Sequence, residues 1–312
     1  MSHFHSISEA LKSKTWLTIG SFDGVHLGHQ ELIKKMVTLA HSQNELATVI
    51  SFFPHPAVVL RGIKSPYYLT GPDEKARLLE SLGVDQVITI PFTLDLAVLS
   101  AYDFMKQITG QINITNLFTG YDFSLGRQRE GDISTLTSIG QELGYSVLTF
   151  NPVLQNHEPV SSRLIRSMLQ EGNIEKVSRL LGRHYKISGR IVHGDGRGRI
   201  IGIPTTNLDY DSWRLLPRPG IYSTYITIQN KKYCAVTNIG NNPTFIEAPF
   251  QKLRVESHIL DFSEDVYNEN QDIEFVHFIR TEIRFDHVED LITQIHNDIL
   301  YARKHLGQST NW

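Results

Sequence analysis

The 312-residue sequence contains a single cysteine, Cys234. One thiol forms neither an internal disulfide nor a thiolate metal site, so a reducing, cytoplasmic compartment is expected and Cys234 itself is expected to be a small buried apolar residue. An excess of charge of either sign is also missing: thirty basic against thirty-three acidic residues leave a net charge of -3. Such a balance produces no field that would draw in a nucleic-acid backbone or an anionic membrane, which excludes both as partners and leaves small molecules. The longest apolar runs, such as residues 48–53, fall far short of the roughly 20 residues that cross a bilayer. Residues 1–11 have no basic start and no unbroken apolar core, so no signal peptide is expected. There is no internal repeat, no low-complexity stretch, no Walker A glycine loop and no protein-kinase HRD/DFG pair.

What remains is a globular composition, 40% apolar and 20% charged, in a length that at roughly 150 residues per domain suits two domains. In the first half, unbroken apolar runs at 16–19, 46–53, 86–90, 116–118 and 146–150 read as parallel strands covered on both faces. Helical spacing at 30–40, 72–82, 101–108 and 133–143 supplies the covers. This predicts a doubly wound α/β domain over 1–160, with its ligand at the carboxyl ends of the strands. Two short helices over 161–183 form a bridge, the first opening on Ser161 and Ser162, whose hydroxyls suit helix capping. From 184 to 312 the rhythm is strand-rich, at 187–193, 221–228, 233–238, 254–260 and 273–279, with turns such as Gln229-Asn230, and a small antiparallel β-barrel fits. A stripe of Val288, Leu291, Ile292, Ile295, Ile299, Ala302 and Leu306 predicts one long C-terminal helix packed on that barrel.

Directly after the first expected strand stands Gly20-Ser21-Phe22-Asp23-Gly24-Val25-His26-Leu27-Gly28-His29, leading into a helix near Gln30. Glycines let the backbone approach a ligand, a helix start offers unpaired amides, and His26 and His29 can face the same phosphates as hydrogen-bond donors. The alternative is a turn that merely reverses the chain. The decapeptide resembles the G-x-F-D-G-x-H-x-G-H signature of the FAD synthetase branch of the nucleotidylyltransferases. Further segments match that branch in order: Ser51-Phe52-Phe53-Pro54-His55-Pro56, then Thr119-Gly120-Tyr121-Asp122-Phe123-Ser124-Leu125-Gly126, then Val160-Ser161-Ser162-Arg163-Leu164-Ile165-Arg166. The resemblance implies catalytic roles for His26 and His29, ligand contacts from Phe22, Asp23, Gly24, Gly28 and Asp122, and flavin entry near His55. Ser161, Ser162 and Arg166 would close over the triphosphate. Ser21, Leu125 and Arg163 depart from the usual asparagine, aromatic and threonine.

The second half opens on a glycine-rich loop, from Gly194-Asp195-Gly196-Arg197-Gly198 to Gly202, followed by Pro204-Thr205-Thr206-Asn207. This resembles the flavokinase domain, whose flap over ATP would here use Gly196 and Gly198 and whose P-T-A-N motif binds Mg²⁺ through what are here Thr205 and Asn207. Two neutral oxygens suit a hard cation that takes its other ligands from phosphate and water. Arg254-Val255-Glu256-Ser257-His258 resembles the strand carrying the flavokinase catalytic glutamate, here Glu256, and Arg284 a flavin-contacting arginine. The resemblance spans 19–306 and implies a bifunctional riboflavin kinase/FAD synthetase: ATP phosphorylates riboflavin to FMN and then adenylylates FMN to FAD. Two rivals stay open at this point, a nucleotidylyltransferase with another acceptor and a non-catalytic flavin- or nucleotide-binding regulator. Oligomeric state is left open, a monomer included.

Overall fold

The computed structural model describes residues 2–151, 154–155, 158–240 and 252–307. It divides into two compact units, Met1–Ser162 and Arg163–Trp312.

The first unit is a six-stranded parallel sheet in the order β1-β4-β3-β2-β5-β6. The strands are β1 Ser2–Phe4, β2 Thr15–Ile19, β3 Leu46–Phe52, β4 Gln86–Ile90, β5 Ile114–Gly120 and β6 Ser146–Phe150. Its helices are α1 Leu27–Ser42, α2 Pro56–Arg61, α3 Pro72–Glu80, α4 Leu94–Ala97, α5 Ala101–Thr109 and α6 Ile133–Leu143. Successive strand residues point to opposite faces, so each central strand feeds two cores. Trp16, Val49, Val87 and Phe118 pack with Ile33, Met36, Val37 and Ala40 of α1 and Ala76 and Leu79 of α3. Leu17, Ile50, Ile88 and Leu117 pack on the other side with Phe104, Met105 and Ile108 of α5 and Leu136 and Ile139 of α6. From β2 the chain runs outward through β3 and β4, then returns to place β5 on the other side of β2. That reversal puts the switch point, where open α/β sheets bind ligands, at the loops following β2 and β5.

Two details differ from the sequence reading. β1 was not expected and joins the sheet edge by parallel pairing with β4. At the opposite edge β6 is largely exposed rather than covered on both faces, because it is the last strand in the sheet order.

A short antiparallel pair, β7 Leu154–Gln155 and β8 Glu158–Pro159, precedes α7 Ser162–Glu171 and α8 Ile174–Leu181. The second unit then closes a six-stranded antiparallel barrel in the order β10-β13-β12-β11-β14-β9. These strands are β9 Tyr185–Val192, β10 Thr206–Asp209, β11 Gly220–Ile228, β12 Lys231–Gly240, β13 Arg254–Ile259 and β14 Asn270–Arg280, with a single helical turn α9 Arg197–Ile200 between β9 and β10. Gln229 and Asn230 both have positive φ, 48° and 63°, the pairing a two-residue type I′ hairpin requires. β10 was not expected. It is only four residues long, yet it pairs with both β9 and β13 and so closes the barrel.

The last helix, α10 Val288–Leu306, buries Ala302 and Leu306 against Ile221, Val236 and Val276 of the barrel. Of the expected stripe, Leu291, Ile292, Ile295 and Ile299 are half-buried, and Val288 alone, 53% exposed, is left to solvent. Its middle is fixed by polar contact: buried Asp298 receives Arg280 Nε at 2.9 Å and a second guanidinium nitrogen at 2.6 Å. Cys234 is half-buried rather than buried, because it lies at the edge of this same cluster.

Candidate functional site

In the first unit the loop after β2 is held by its own side chains. Asp23, 3% exposed, accepts hydrogen bonds from the Leu69 amide at 3.0 Å and the Thr70 amide at 3.1 Å. The Gly24 amide donates to Thr70 Oγ1 at 3.0 Å. Asp23 and Gly24, expected to touch nucleotide, therefore tie the loop to residues 69–70. Phe22, expected there as well, is buried in the core, edge-to-face with His29 at 5.1 Å between ring centroids. The backbone pays with positive φ at Phe22 (45°), Gly24 (82°) and Val25 (37°), a strain found where a loop is shaped for a ligand.

α1 begins at Leu27, three residues earlier than the spacing suggested, because the His26 imidazole caps it: Nδ1 accepts from the His29 amide at 3.4 Å. An accepting Nδ1 places the ring proton of neutral His26 on Nε2. His26 and His29 stack with centroids 3.6 Å apart. Burial, then His26 and then Lys75 push the His29 pKa well below the ordinary value, so the ring is neutral at pH 7. Its Nδ1 is buried without a hydrogen-bond partner. Gly28 makes room for the pair, since a Cβ there would come within 3.3 Å of the His26 ring.

Lys75 was missed, because Pro72-Asp73-Glu74-Lys75 reads as the solvated first turn of a helix. It is 4% exposed, and its Nζ donates at 2.9 Å to the Ser21 carbonyl, inside the glycine-rich loop. Burial holds its pKa down to about 8, with Asp23 pulling the other way. The amine is still protonated at pH 7, at a cost on the order of 3 kcal/mol. Because the unfolded chain keeps this proton up to higher pH, the penalty is complete below pH 8 and disappears as pH rises through 10.5. Lys75→Met should therefore raise stability at pH 7 by about 1–3 kcal/mol, since the Ser21 carbonyl keeps its bond from Ser51 Oγ. The gain should shrink toward pH 10.5. Denaturant midpoints measured across that range check this, and a midpoint lowered at pH 7 would contradict it.

Beside this loop lies a cavity of about 440 Å³ lined by Gly20 and Ser21, by Phe52, Pro56, Phe92, Phe104 and Phe123, and by Gln128 and Arg129. His55 stands next to its wall, not in it: the ring caps α2 by accepting from the Ala57 amide at 3.0 Å and meets Tyr67 edge-on. A second, polar cavity of about 400 Å³ contains Asp122 with Tyr121, Asp132 and Ser134, and shares Phe123, Ser124 and Arg129 with the first. Ser162 Oγ donates at 2.7 Å to the Asp23 carbonyl, so this hydroxyl clamps the loop instead of capping its own helix. Ser161 precedes it, half-buried, and Arg166 follows one turn along α7, also half-buried.

In the second unit β13 lies between β10 and β12, and Glu256 is paired in register with Asn207 on one side and Asn238 on the other. Val255, Ser257 and Ile259 turn into the barrel, which leaves Glu256 on the half-exposed face. Arg254 donates from one guanidinium nitrogen to Glu256 at 3.0 Å and to Asp195 of the glycine-rich loop at 3.0 Å. That loop is pressed onto the site: a Cβ at Gly194 would come within 2.2 Å of the Asn207 side chain, and one at Gly198 within 2.3 Å of the Ile203 carbonyl. Gly196 takes φ 71° at the start of α9. A cavity of about 280 Å³ lined by Arg199, Pro204, Thr205, Thr206, Ser257 and residues 262–267 adjoins it. The side chains of Thr205 and Asn207 are half-buried and make no hydrogen bond among the described residues. Arg284 is exposed in the loop between β14 and α10 and does not line this cavity. Asn238 and Glu282, joined by a 3.3 Å hydrogen bond, flank the site and were not expected.

Comparison with known proteins agrees with both halves. The family model described as FAD synthetase matches residues 8–164, and that described as riboflavin kinase matches residues 181–306. Bifunctional riboflavin kinase/FMN adenylyltransferases are similar along nearly the whole chain: that of Listeria monocytogenes is 34% identical, covering 90% of this chain and 89% of its own. The Bacillus subtilis enzyme is 32% identical over 96% and 94%, and the Escherichia coli K12 enzyme 33% over 97% and 96%. A crystal structure of a Streptococcus pneumoniae protein described as a macrolide-efflux protein superposes with a TM-score of 0.87 at 28% identity, covering 97% and 98% of the two chains. Among the described residues here, no helix is long and apolar enough to cross a membrane.

Proposed function

The chain belongs to the bifunctional riboflavin kinase/FMN adenylyltransferase family, and from that premise we propose which residues carry each reaction. It phosphorylates riboflavin to FMN with ATP and adenylylates FMN to FAD with a second ATP. The rivals weighed on sequence grounds, a different acceptor or a silent regulator, give way to this membership.

Adenylyl transfer belongs to the first unit. The 440 Å³ aromatic cavity takes the isoalloxazine, and Gly20 and Ser21 on its wall bring the FMN phosphate toward His26 and His29. A phosphate oxygen of FMN attacks the α-phosphorus of ATP, and the bond to the β-phosphate oxygen breaks to release pyrophosphate. No protein nucleophile is needed, so the chain supplies position and charge stabilisation. The Nε2–H of His26 and the single N–H of neutral His29 donate to the oxygens that gain charge, and Lys75 adds a buried positive charge behind the loop. Asp122 in the adjoining polar cavity accepts from the nucleotide. Ser161 is assigned to the leaving pyrophosphate.

Phosphoryl transfer belongs to the barrel. The observation that carries it is Glu256 set between Asn207 and Asn238 beneath the glycine-rich loop. Glu256 takes the proton of the ribityl 5′-hydroxyl as that oxygen bonds to the γ-phosphorus and ADP leaves. Thr205 and Asn207 would hold Mg²⁺, which supplies charge neutralisation to the ATP phosphates; two neutral, unengaged oxygens beside a carboxylate fit that ion. Gly196 and Gly198 let the loop lie close over ATP. Arg284 is assigned to flavin. The lone cysteine suits a reducing cytoplasm as the place of both reactions.

Purified protein given ATP, Mg²⁺ and either riboflavin or FMN, with products separated chromatographically, tests the assignment at once. Both conversions are expected, and absence of FMN from riboflavin would remove the kinase half. Asn207→Ala should raise the Mg²⁺ concentration needed for half-maximal FMN formation by roughly tenfold or more, as loss of a group supporting a metal typically does, while FAD formation from FMN keeps its Mg²⁺ dependence. An unchanged Mg²⁺ dependence of FMN formation would take Asn207 off the metal.

A further inference from the structure

Arginine 129 sits where the aromatic cavity and the polar cavity of the first unit share a wall. The segment that carries it is built to hold one shape. Leu125 and Gly131 exchange backbone hydrogen bonds at 3.1 Å and 3.0 Å, Arg127 donates its amide to the Leu99 carbonyl at 2.8 Å, and Glu130 accepts from the Ala101 amide at 3.0 Å. Gly126 lies so close to α5 that a Cβ would come within 2.6 Å of the Ala101 amide nitrogen. Gln128 and Arg129 are consequently held at φ 53° and 63°, a left-handed backbone that non-glycine residues adopt only under such constraint.

The two arginines of this loop have different fates. Arg127 is paired with Glu130 at 3.1 Å. Arg129 meets no carboxylate at ion-pair distance among the described residues; its Nε donates to Ser124 Oγ at 2.6 Å, and another guanidinium nitrogen reaches the Asp122 carbonyl at 3.4 Å. These neutral contacts orient the fork, and Asp122 and Asp132, which line the same polar cavity, stand beyond ion-pair distance of it. Gly20 and Ser21, directly after β2, line the same aromatic cavity, and the rest of it is largely apolar, with Phe52, Phe92 and Phe123.

We propose that Arg129 is the specificity-determining residue that makes this site take a flavin bearing a phosphate in preference to an unphosphorylated one, by gripping the FMN phosphate with its fork. An aromatic wall binds the isoalloxazine of either flavin equally, so the discrimination has to come from a group that meets the phosphate alone. A preoriented guanidinium with no carboxylate at ion-pair distance is that group, and its planar fork matches a phosphate in a way an ammonium does not. The inference rests on the reading of the 440 Å³ cavity as the flavin site.

The test is steady-state FAD formation from FMN by the full-length protein. Arg129→Ala should raise KM for FMN roughly 10–100-fold, the range expected for losing charge-assisted bonds to a phosphate. KM for ATP should be unmoved, and Arg129→Lys should recover part of the loss. Lumiflavin, an isoalloxazine with no ribityl phosphate and no hydroxyl for the kinase to use, serves as the inhibitor, and its inhibition constant should be the same in the wild type and Arg129→Ala. An unchanged KM for FMN, a raised KM for ATP, or a lumiflavin constant that rises in step with KM would each overturn the role given to Arg129. Ala97→Phe, which narrows the same cavity, separates the two levels of the inference. If it raises KM for FMN and weakens lumiflavin while Arg129→Ala does nothing, the cavity is the flavin site and only Arg129 is wrong; if it changes neither, the flavin site lies elsewhere and both fall.

Discussion

Glu256→Gln is expected to cut FMN formation by roughly 10²–10⁴-fold, the contribution of a positioned general base, while FAD formation from supplied FMN continues at the wild-type rate. Glutamine keeps the shape and the hydrogen-bonding reach of the side chain but cannot take a proton, so the substitution isolates the chemistry from the packing. Little else should change, because Glu256 is on the half-exposed face of β13, where the buried residues are Val255, Ser257 and Ile259. Its ion pair with Arg254 is lost, yet Arg254 retains Asp195 at 3.0 Å, so the glycine-rich loop keeps its tether. Chromatographic rates for each half-reaction decide the matter. FMN formation within tenfold of wild type would mean that another group accepts the hydroxyl proton.

His29→Ala should do the reverse, lowering FAD formation from FMN by roughly 10²–10³-fold, as loss of one preorganised donor to a charged transition state does. The ring is stacked on His26, edge-on to Phe22, and has a buried Nδ1 with no partner, so its place is fixed before any ligand arrives. His29→Asn, which returns an N–H donor, should restore part of the rate, whereas a ring needed only for packing would not be rescued by it. FMN formation by the barrel is the control for an intact chain. Equal loss of both activities in both variants would defeat the assignment of separate sites.

Much of this architecture was legible in the sequence. Strands β2 to β5 are buried on both faces and so carry unbroken apolar runs, and the resulting α/β pattern gave the parallel sheet and its covering helices. β10 escaped because Thr206-Asn207-Leu208-Asp209 has no apolar run to announce it, although it closes the barrel and sets Asn207 beside Glu256. The glycine-rich decapeptide was placed correctly at the end of β2, but its internal division of labour depends on residues 69–70, far away in sequence. Only the folded chain discloses that Asp23 and Gly24 are occupied there, and that Phe22 faces the core. Lys75 and Arg129 escaped for a related reason. Each lies among ordinary helix-start or loop residues, and what sets it apart is burial in one case and, in the other, the absence of an ion pair among the described residues although Glu130 is its neighbour.

The bond from the Ser162 hydroxyl to the Asp23 carbonyl bears on how the protein can be divided. A fragment ending at residue 160 would contain every strand of the parallel sheet and still lack the peg that secures the loop after β2, whereas one extended two residues further would carry it. Trimmed enzymes of these two lengths should therefore differ in catalysis far more than in melting behaviour, and the shorter would be mistaken for proof that the first half depends on the second.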